Sequence, residues 1–212
     1  MKDLIIIGAR GFGREVCNIA RQCREWNKEW RLKGFLDDES TSLDDYSGYP
    51  PILGPVETYD IKPDDVFVCA LGDVNYKYHY INLVKGKGGM FIDIIHPSSI
   101  IFSNTTIGEG LITGPFTYIS SDCIIGNFVT VQPFTVIGHD VTIGNYCHIN
   151  VGVFIGGFVK IGNFATLHSG SNILSRVKIG NNVTVGTGST VIRKVSDKCT
   201  VFGNPAKIIF AE

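Results

Sequence analysis

Ile-Gly-His-Asp-Val-Thr (137–142), Ile-Gly-Asn-Tyr-Cys-His (143–148), Ile-Asn-Val-Gly-Val-Phe (149–154), Ile-Gly-Gly-Phe-Val-Lys (155–160) and Ile-Gly-Asn-Phe-Ala-Thr (161–166) are five consecutive six-residue units in one phase. Outward from them the phase runs from Ile95 to Ser196, seventeen units that read without an insertion or deletion. The first position is Ile, Val or Leu in every unit but one, where Thr113 stands. The fifth is small, from Ser99 through Cys123, Cys147 and Ala165 to Val195, with Leu111 the largest. A fixed short period marks a solenoid, and six is the period of a parallel β-helix. Ile-Gly-Asn recurs at Ile125, Ile143, Ile161 and Ile179, eighteen residues apart, so three units make one triangular coil. Branched first positions suit short strands facing an interior. Small fifth positions suit tight corners, and second-position glycines such as Gly126, Gly144 and Gly162 suggest corners that need unusual φ/ψ. At about 4.8 Å per coil the prism should be roughly 27 Å long.

The repeat divides the 212 residues into an α/β Rossmann-like domain over 1–90 and an all-β parallel β-helix with a C-terminal tail over 91–212. A net charge of −1 and a pI near 6.5 offer no electrostatic case for a nucleic-acid partner or an anionic membrane. No apolar run approaches the length of a membrane span. The six cysteines show no C-x-x-C spacing, and two take the small inward position of their units, so they read as packing residues of a reducing cytoplasm.

Leu4 to Ile7 is a short apolar run, as expected of a buried parallel strand. Gly8-Ala9-Arg10-Gly11-Phe12-Gly13 follows, then a helical pattern with Val16, Ile19, Ala20 and Cys23 on one face. Strand, glycine turn and helix form a phosphate-cradling arrangement. The spacing is G-x-x-G-x-G, not that of a dinucleotide fingerprint, which weighs against a nicotinamide redox role. Further strands are expected to end at Gly34-Phe35-Leu36, at Val66 to Leu71 and over Phe91 to Ile95. Ligands of open α/β sheets sit at the carboxyl ends of strands, which here carry the glycine loop, Asp37, Asp38 and Gly72. Two carboxylates there would repel phosphates and suit the hydroxyl or N–H donors of a ribose, base or sugar. The plain alternative is that the glycines only connect strand to helix and that Asp37-Asp38 is a solvated turn.

A polar group inside the prism is expensive. His139 and His148 occupy third and sixth positions, so both are expected on the outer surface, and His168 at a corner. His139 followed by Asp140 suits a base with a carboxylate to orient it. Nine residues, half a coil, separate His139 from His148, which places them on different sides of one prism. Gly157 follows His139 by eighteen residues and should stack beside it, with a backbone N–H available to an oxyanion. No H-x-x-x-x-H occurs, so no metal site of the trimeric carbonic anhydrase kind is expected.

With these residues in place the chain resembles the bacterial hexapeptide-repeat acyltransferases that carry a sugar-nucleotide-binding N-terminal domain. That group includes sialic-acid O-acetyltransferases, UDP-4-amino-sugar N-acetyltransferases of the bacillosamine type and GDP-perosamine N-acetyltransferase. The resemblance rests on Gly8 to Glu15, Gly34 to Asp38, Ile95-His96-Pro97-Ser98, Gly138 to Gly144 with His148, and Gly203-Asn204-Pro205-Ala206-Lys207. It implies a homotrimer of left-handed β-helices with acetyl-CoA between adjacent prisms and a nucleotide-sugar acceptor. It further implies that His139 is the general base and Asp140 its carboxylate. His148, Gly157, Ser169 and Gly186 would contact the coenzyme. Arg10, Gly11, Phe12, Asp37, Asp38, Gly72 and Asn75 would contact the nucleotide sugar. Phe12 stands where relatives often carry His, Gln132 where Asn is expected and His168 where Gly is usual.

Direct transfer of an acetyl group to a nucleotide-linked amino sugar is therefore the expected activity. O-acetylation of sialic acid or another sugar is the alternative within the enzyme class. A non-catalytic nucleotide-sugar-binding scaffold is the alternative outside it.

Overall fold

The computed structural model describes residues 1–211. The chain forms two compact units, Met1–Pro97 and a second beginning at Ser98.

In the first unit β1 (Lys2–Ile7), β2 (Trp30–Leu36), β3 (Asp65–Cys69) and β4 (Met90–Phe91) make a parallel sheet in the order β2-β1-β3-β4. β1 lies inside the sheet, which is why Leu4, Ile5, Ile6 and Ile7 are all buried rather than alternating. Helix α1 (Gly11–Ala20) buries Val16, Cys17, Ile19 and Ala20. A second helix, α2 (Val74–Gly86), follows β3 and was not part of the sequence reading. Asp73 starts it by accepting the N–H groups of Asn75 and Tyr76 at 2.8 and 3.0 Å. The run expected as one strand over Phe91 to Ile95 is split into Met90–Phe91 and a separate Ile94–Ile95, the ladder with β3 ending on the bond from Ile92 N–H to the Phe67 carbonyl.

The second unit is a parallel β-helix of two-residue strands on three faces. Face one carries Ile100–Ile101, Tyr118–Ile119, Val136–Ile137, Phe154–Ile155, Asn172–Ile173 and Thr190–Val191. Face two carries Thr106–Ile107, Ile124–Ile125, Thr142–Ile143, Lys160–Ile161 and Lys178–Ile179. Face three includes Ile112–Thr113, Thr130–Val131, His148–Ile149, Thr166–Leu167 and Thr184–Val185, closed by an antiparallel pair, Cys199–Gly203 and Ala206–Ala211. Strand partners lie eighteen residues apart, as in Val136 with Phe154 and Ile137 with Ile155. First and fifth positions fill the interior: Ile119, Ile137, Ile155, Val129, Val141 and Ala165 have no exposed surface. Several interior hydroxyls and thiols are satisfied across the coil, while Ser171 Oγ is buried without a hydrogen-bond partner among the described residues. Thr113 meets Ser99 Oγ at 2.8 Å, Thr135 donates to the Asn150 carbonyl at 2.9 Å, and Cys123 and Cys147 each donate to a carbonyl at 3.1 Å.

Two expectations about the repeat are corrected. The left-handed backbone lies at the fourth position, not the second. Phe116, Asp122, Phe128, Phe134, Asp140, Tyr146, Phe158, Phe164 and Arg176 all have φ between 56° and 66° there. Second-position glycines are required for space instead. A Cβ on Gly144 would lie 2.6 Å from Asn163 Oδ1, and one on Gly138 2.8 Å from Gly157 N. The phase also does not run unbroken to Ser196. Val195 pairs with Ile179 and Thr200 with Thr184, sixteen residues apart, so the last coil is two residues short. The missing corner follows Val191, and Lys198 resumes the left-handed fourth position at φ 56°.

Candidate functional site

At the corner between faces one and two, Ile137 ends a strand and Gly138 lets the backbone pass under the next coil, which projects His139 and Asp140 outward. His139 Nδ1 lies 2.8 Å from Asp140 Oδ2, with both side chains about half exposed. A carboxylate only accepts, so Nδ1 carries the proton, and in the neutral ring the lone pair falls on Nε2. Gly157 stacks one coil beyond, and a Cβ there would lie 2.8 Å from His139 Nε2. Gly157 is buried, and its N–H meets no hydrogen-bond acceptor among the described residues. The Phe158 ring stands edge-on to the imidazole, centroids 5.0 Å apart at 89°, and the Arg176 guanidinium lies 4.6 Å from the Phe158 centroid. A base, its carboxylate partner and an adjacent N–H without an acceptor can together accept a proton and receive an oxyanion.

The remaining expected coenzyme contacts lie elsewhere on the prism. His148 is on face three, in register with Thr130 and Thr166. The expectation that it reaches the outer surface is overturned, since it is 3% exposed. Gln132 covers it, with Nε2 atoms 3.3 Å apart, because position two of the preceding coil lies beside position six. Ser169 is exposed at the corner between faces three and one, and Gly186 stacks one coil beyond His168 at the same corner. One prism therefore brings together His139, Asp140 and Gly157, and holds His148, Ser169 and Gly186 apart from them.

In the first unit a cavity of about 620 Å³ opens at the carboxyl ends of the strands. Arg10, Phe12, Asp37, Asp38 and Gly72 line it with Gly8 and Gly13. No side chain caps the N-terminus of α1, so its backbone donors are open to an anion. Gly8 needs its φ of 95°, and a Cβ on Gly13 would overlap the Gly8 carbonyl, so both serve the turn. Gly11 has open space around it and does not line the cavity. Asn75 lines a neighbouring recess with Asp73, Tyr76 and His79.

Asp37 is committed to holding two loops, accepting Ala9 N–H at 2.7 Å and Glu39 N–H at 3.0 Å. Asp38 accepts the Tyr80 hydroxyl at 2.6 Å, and that bond, with burial, raises the Tyr80 pKa. Sequence reasoning missed Glu39, Tyr76 and Tyr80 in this wall. Asp73 as a cap, with Tyr76 and Tyr80 one helical turn apart behind it, was the available signal.

All six cysteines are buried and none is in a disulfide. Burial pushes the Cys23 thiol up to about 11 and Cys69 up to about 12, far from a thiolate nucleophile. Among the described residues no group of three or more His, Cys, Asp or Glu is placed to hold a metal, and no helix is long and apolar enough to cross a membrane.

Comparison with known proteins matches residues 3–84 to the PglD N-terminal domain, and residues 104–138, 122–157 and 158–193 to the bacterial transferase hexapeptide (six repeats). UDP-N-acetylbacillosamine N-acetyltransferase of Bacillus subtilis is 29% identical over 116 residues, 53% of this chain and 51% of the relative. The chain thus matches about half the length of that curated relative. Among solved structures, PerB of Caulobacter crescentus in complex with CoA and GDP-perosamine superposes with a TM-score of 0.89 at 24% identity, over 99% of this chain and 98% of that one. The acetyltransferase domain of PglB from Neisseria gonorrhoeae in complex with acetyl coenzyme A gives 0.89 at 23%, over 98% and 99%. WeeI from Acinetobacter baumannii gives 0.87 at 26%, over 99% and 100%. The fold is shared with all three along nearly the whole length, and its two halves match two different family models. Residues 3–84 thus match the PglD N-terminal domain family and the β-helix matches the bacterial transferase hexapeptide family.

Proposed function

We propose that this chain is an acetyltransferase that moves the acetyl group of acetyl-CoA onto the amine of a nucleotide-linked sugar. The observation that carries the reading is the His139–Asp140 pair at 2.8 Å, stacked against a Gly157 N–H with no acceptor of its own. The acceptor nitrogen attacks the thioester carbonyl carbon while His139 Nε2 takes its proton. Asp140 holds the Nδ1 proton and stabilises the imidazolium, and Gly157 N–H meets the developing oxyanion. As the C–N bond is completed the C–S bond breaks, and the imidazolium returns the proton to the departing thiolate. No acyl-enzyme is needed, which accords with buried thiols whose pKa values are raised.

The acceptor's nucleotide belongs in the cavity of about 620 Å³, its phosphates toward the uncapped start of α1 near Arg10, Gly11 and Phe12. Asp38, Gly72 and Asn75 line its surroundings, and Asp37 shapes the wall. Names among the matched proteins, perosamine and N-acetylbacillosamine N-acetyltransferases, favour an amine over a hydroxyl.

The homotrimer is part of the same reading. His148, Ser169 and Gly186 can join His139 around one acetyl-CoA only if they come from a neighbouring prism. Six buried cysteines in no disulfide suit the cytoplasm. The test is thiol release from acetyl-CoA against UDP-, GDP-, dTDP- and CMP-linked amino sugars. Turnover with one of them that disappears in His139→Ala supports the assignment. Undiminished turnover in that variant, or none with any acceptor, overturns it.

A further inference from the structure

Fourth-position aromatic side chains elsewhere on the prism stack flat on one another. Phe116 and Phe134 lie 5.4 Å apart at 18°, and Tyr146 lies 5.5 Å from Phe128 and 5.1 Å from Phe164 at 15° and 9°. Phe158 does not. Its column reads Asp122, Asp140, Phe158, Arg176, one residue per coil, and its ring stands perpendicular to the His139 imidazole and carries the Arg176 cation over its face. Arg176 stands two coils, roughly 9.6 Å, from Asp140. An arginine can cross that distance wherever the intervening position is empty. A carboxylate with both an imidazole and a guanidinium in reach goes to the guanidinium, which binds it in bidentate fashion and with full charge. Asp122, the other acid of the column, already accepts from Asn104 at 2.6 Å.

We propose that Phe158 is a positioning residue that keeps Arg176 off Asp140 by holding the guanidinium on its ring face, so that the Asp140 carboxylate stays on His139. The inference rests on His139 as the base for its consequence in rate, but its structural half stands apart from that reading.

The test uses Phe158→Asn, since asparagine tolerates the left-handed backbone at φ 62°. Turnover should fall about tenfold, a part of the ~10²–10⁴ that a general base supplies, with KM for both substrates held within about twofold. Phe158→Tyr should keep the wild-type rate. Adding Arg176→Gln to Phe158→Asn should restore turnover to within about threefold of wild type, because no cation remains to capture Asp140. Long-range 1H–15N spectra, with His139 assigned by its loss in His139→Ala, should show the Nδ1-protonated tautomer in wild type, an exchanging ring in Phe158→Asn and its return in the double variant. A ring unchanged by Phe158→Asn, or a double variant no better than the single one, overturns the inference. If the wild type acetylates none of the sugars tried, the proposed activity fails while the spectra still decide this point.

Discussion

Two corners of the same prism treat the same backbone group in opposite ways. Between faces two and three, the third-position N–H of each coil is met by the side chain of the next. Glu109 N–H donates to Asn127, Asn127 to Asn145, Asn145 to Asn163, Asn163 to Asn181 and Asn181 to Asp197, all between 2.8 and 3.0 Å. Between faces one and two the third positions include Ser121, His139, Gly157 and Ser175, and among the described residues no such ladder joins them. The first corner closes these backbone N–H groups within the chain. The second leaves a donor at Gly157 and places a base beside it. A regular repeat makes this legible, because a side chain that abandons the ladder forgoes about 1 kcal/mol of hydrogen bonding per coil.

Variants can break either corner separately. His139→Ala should have the largest effect, lowering turnover by about 10²–10⁴ with little change in acetyl-CoA affinity, read by thiol release and calorimetry. Gly157→Ala comes next. Its Cβ would displace the imidazole while the N–H remains, so turnover should drop by about 10²-fold, within what a general base supplies, while the melting temperature stays within a few degrees. Asn145→Ala inverts that pattern. It leaves the Asn127 N–H without its acceptor, and denaturant unfolding should show a loss of about 1–2 kcal/mol with turnover preserved. Should Asn145→Ala abolish turnover at unchanged stability, the division of labour between the corners would be wrong.

The smallest effect lies outside the prism and serves as its control. His96 is buried with Nε2 3.1 Å from Gln22 Oε1, and burial lowers its pKa below 6.5. The folded state thus binds this proton less readily than the unfolded chain. Its neutral form contributes fully above pH 6.5, and stability declines as pH falls through that value toward the folded pKa. His96→Gln should flatten the fall in melting temperature between about pH 7 and pH 5 without touching the His139 corner.

Much of this could be read from residue types alone. Alternation of Ile or Val with small residues placed the interior, and the eighteen-residue spacing put Gly157 beside His139. Other features depend on what each residue meets. That Gly144 needs space rather than a special φ follows from the Asn163 side chain under it. His148 looked exposed by position but lies beneath Gln132. The two-residue loss after Val191 was invisible because Val195 suits either phase. The Asp38–Tyr80 contact spans 42 residues, a separation at which local pattern carries no information.

By itself the sequence determined the period, the inward residues and the stacking of His139 with Gly157, because a solenoid turns distance along the chain into position in space. Only the tertiary structure decided which polar groups are spent and which are free. Asp37 is consumed by Ala9 and Glu39, while Gly157 N–H is left over and Arg176 rests on Phe158. The physical reason is that a hydrogen bond or a ring contact depends on two partners meeting within a few ångströms. Outside the repeat, nothing in a one-dimensional pattern records that meeting.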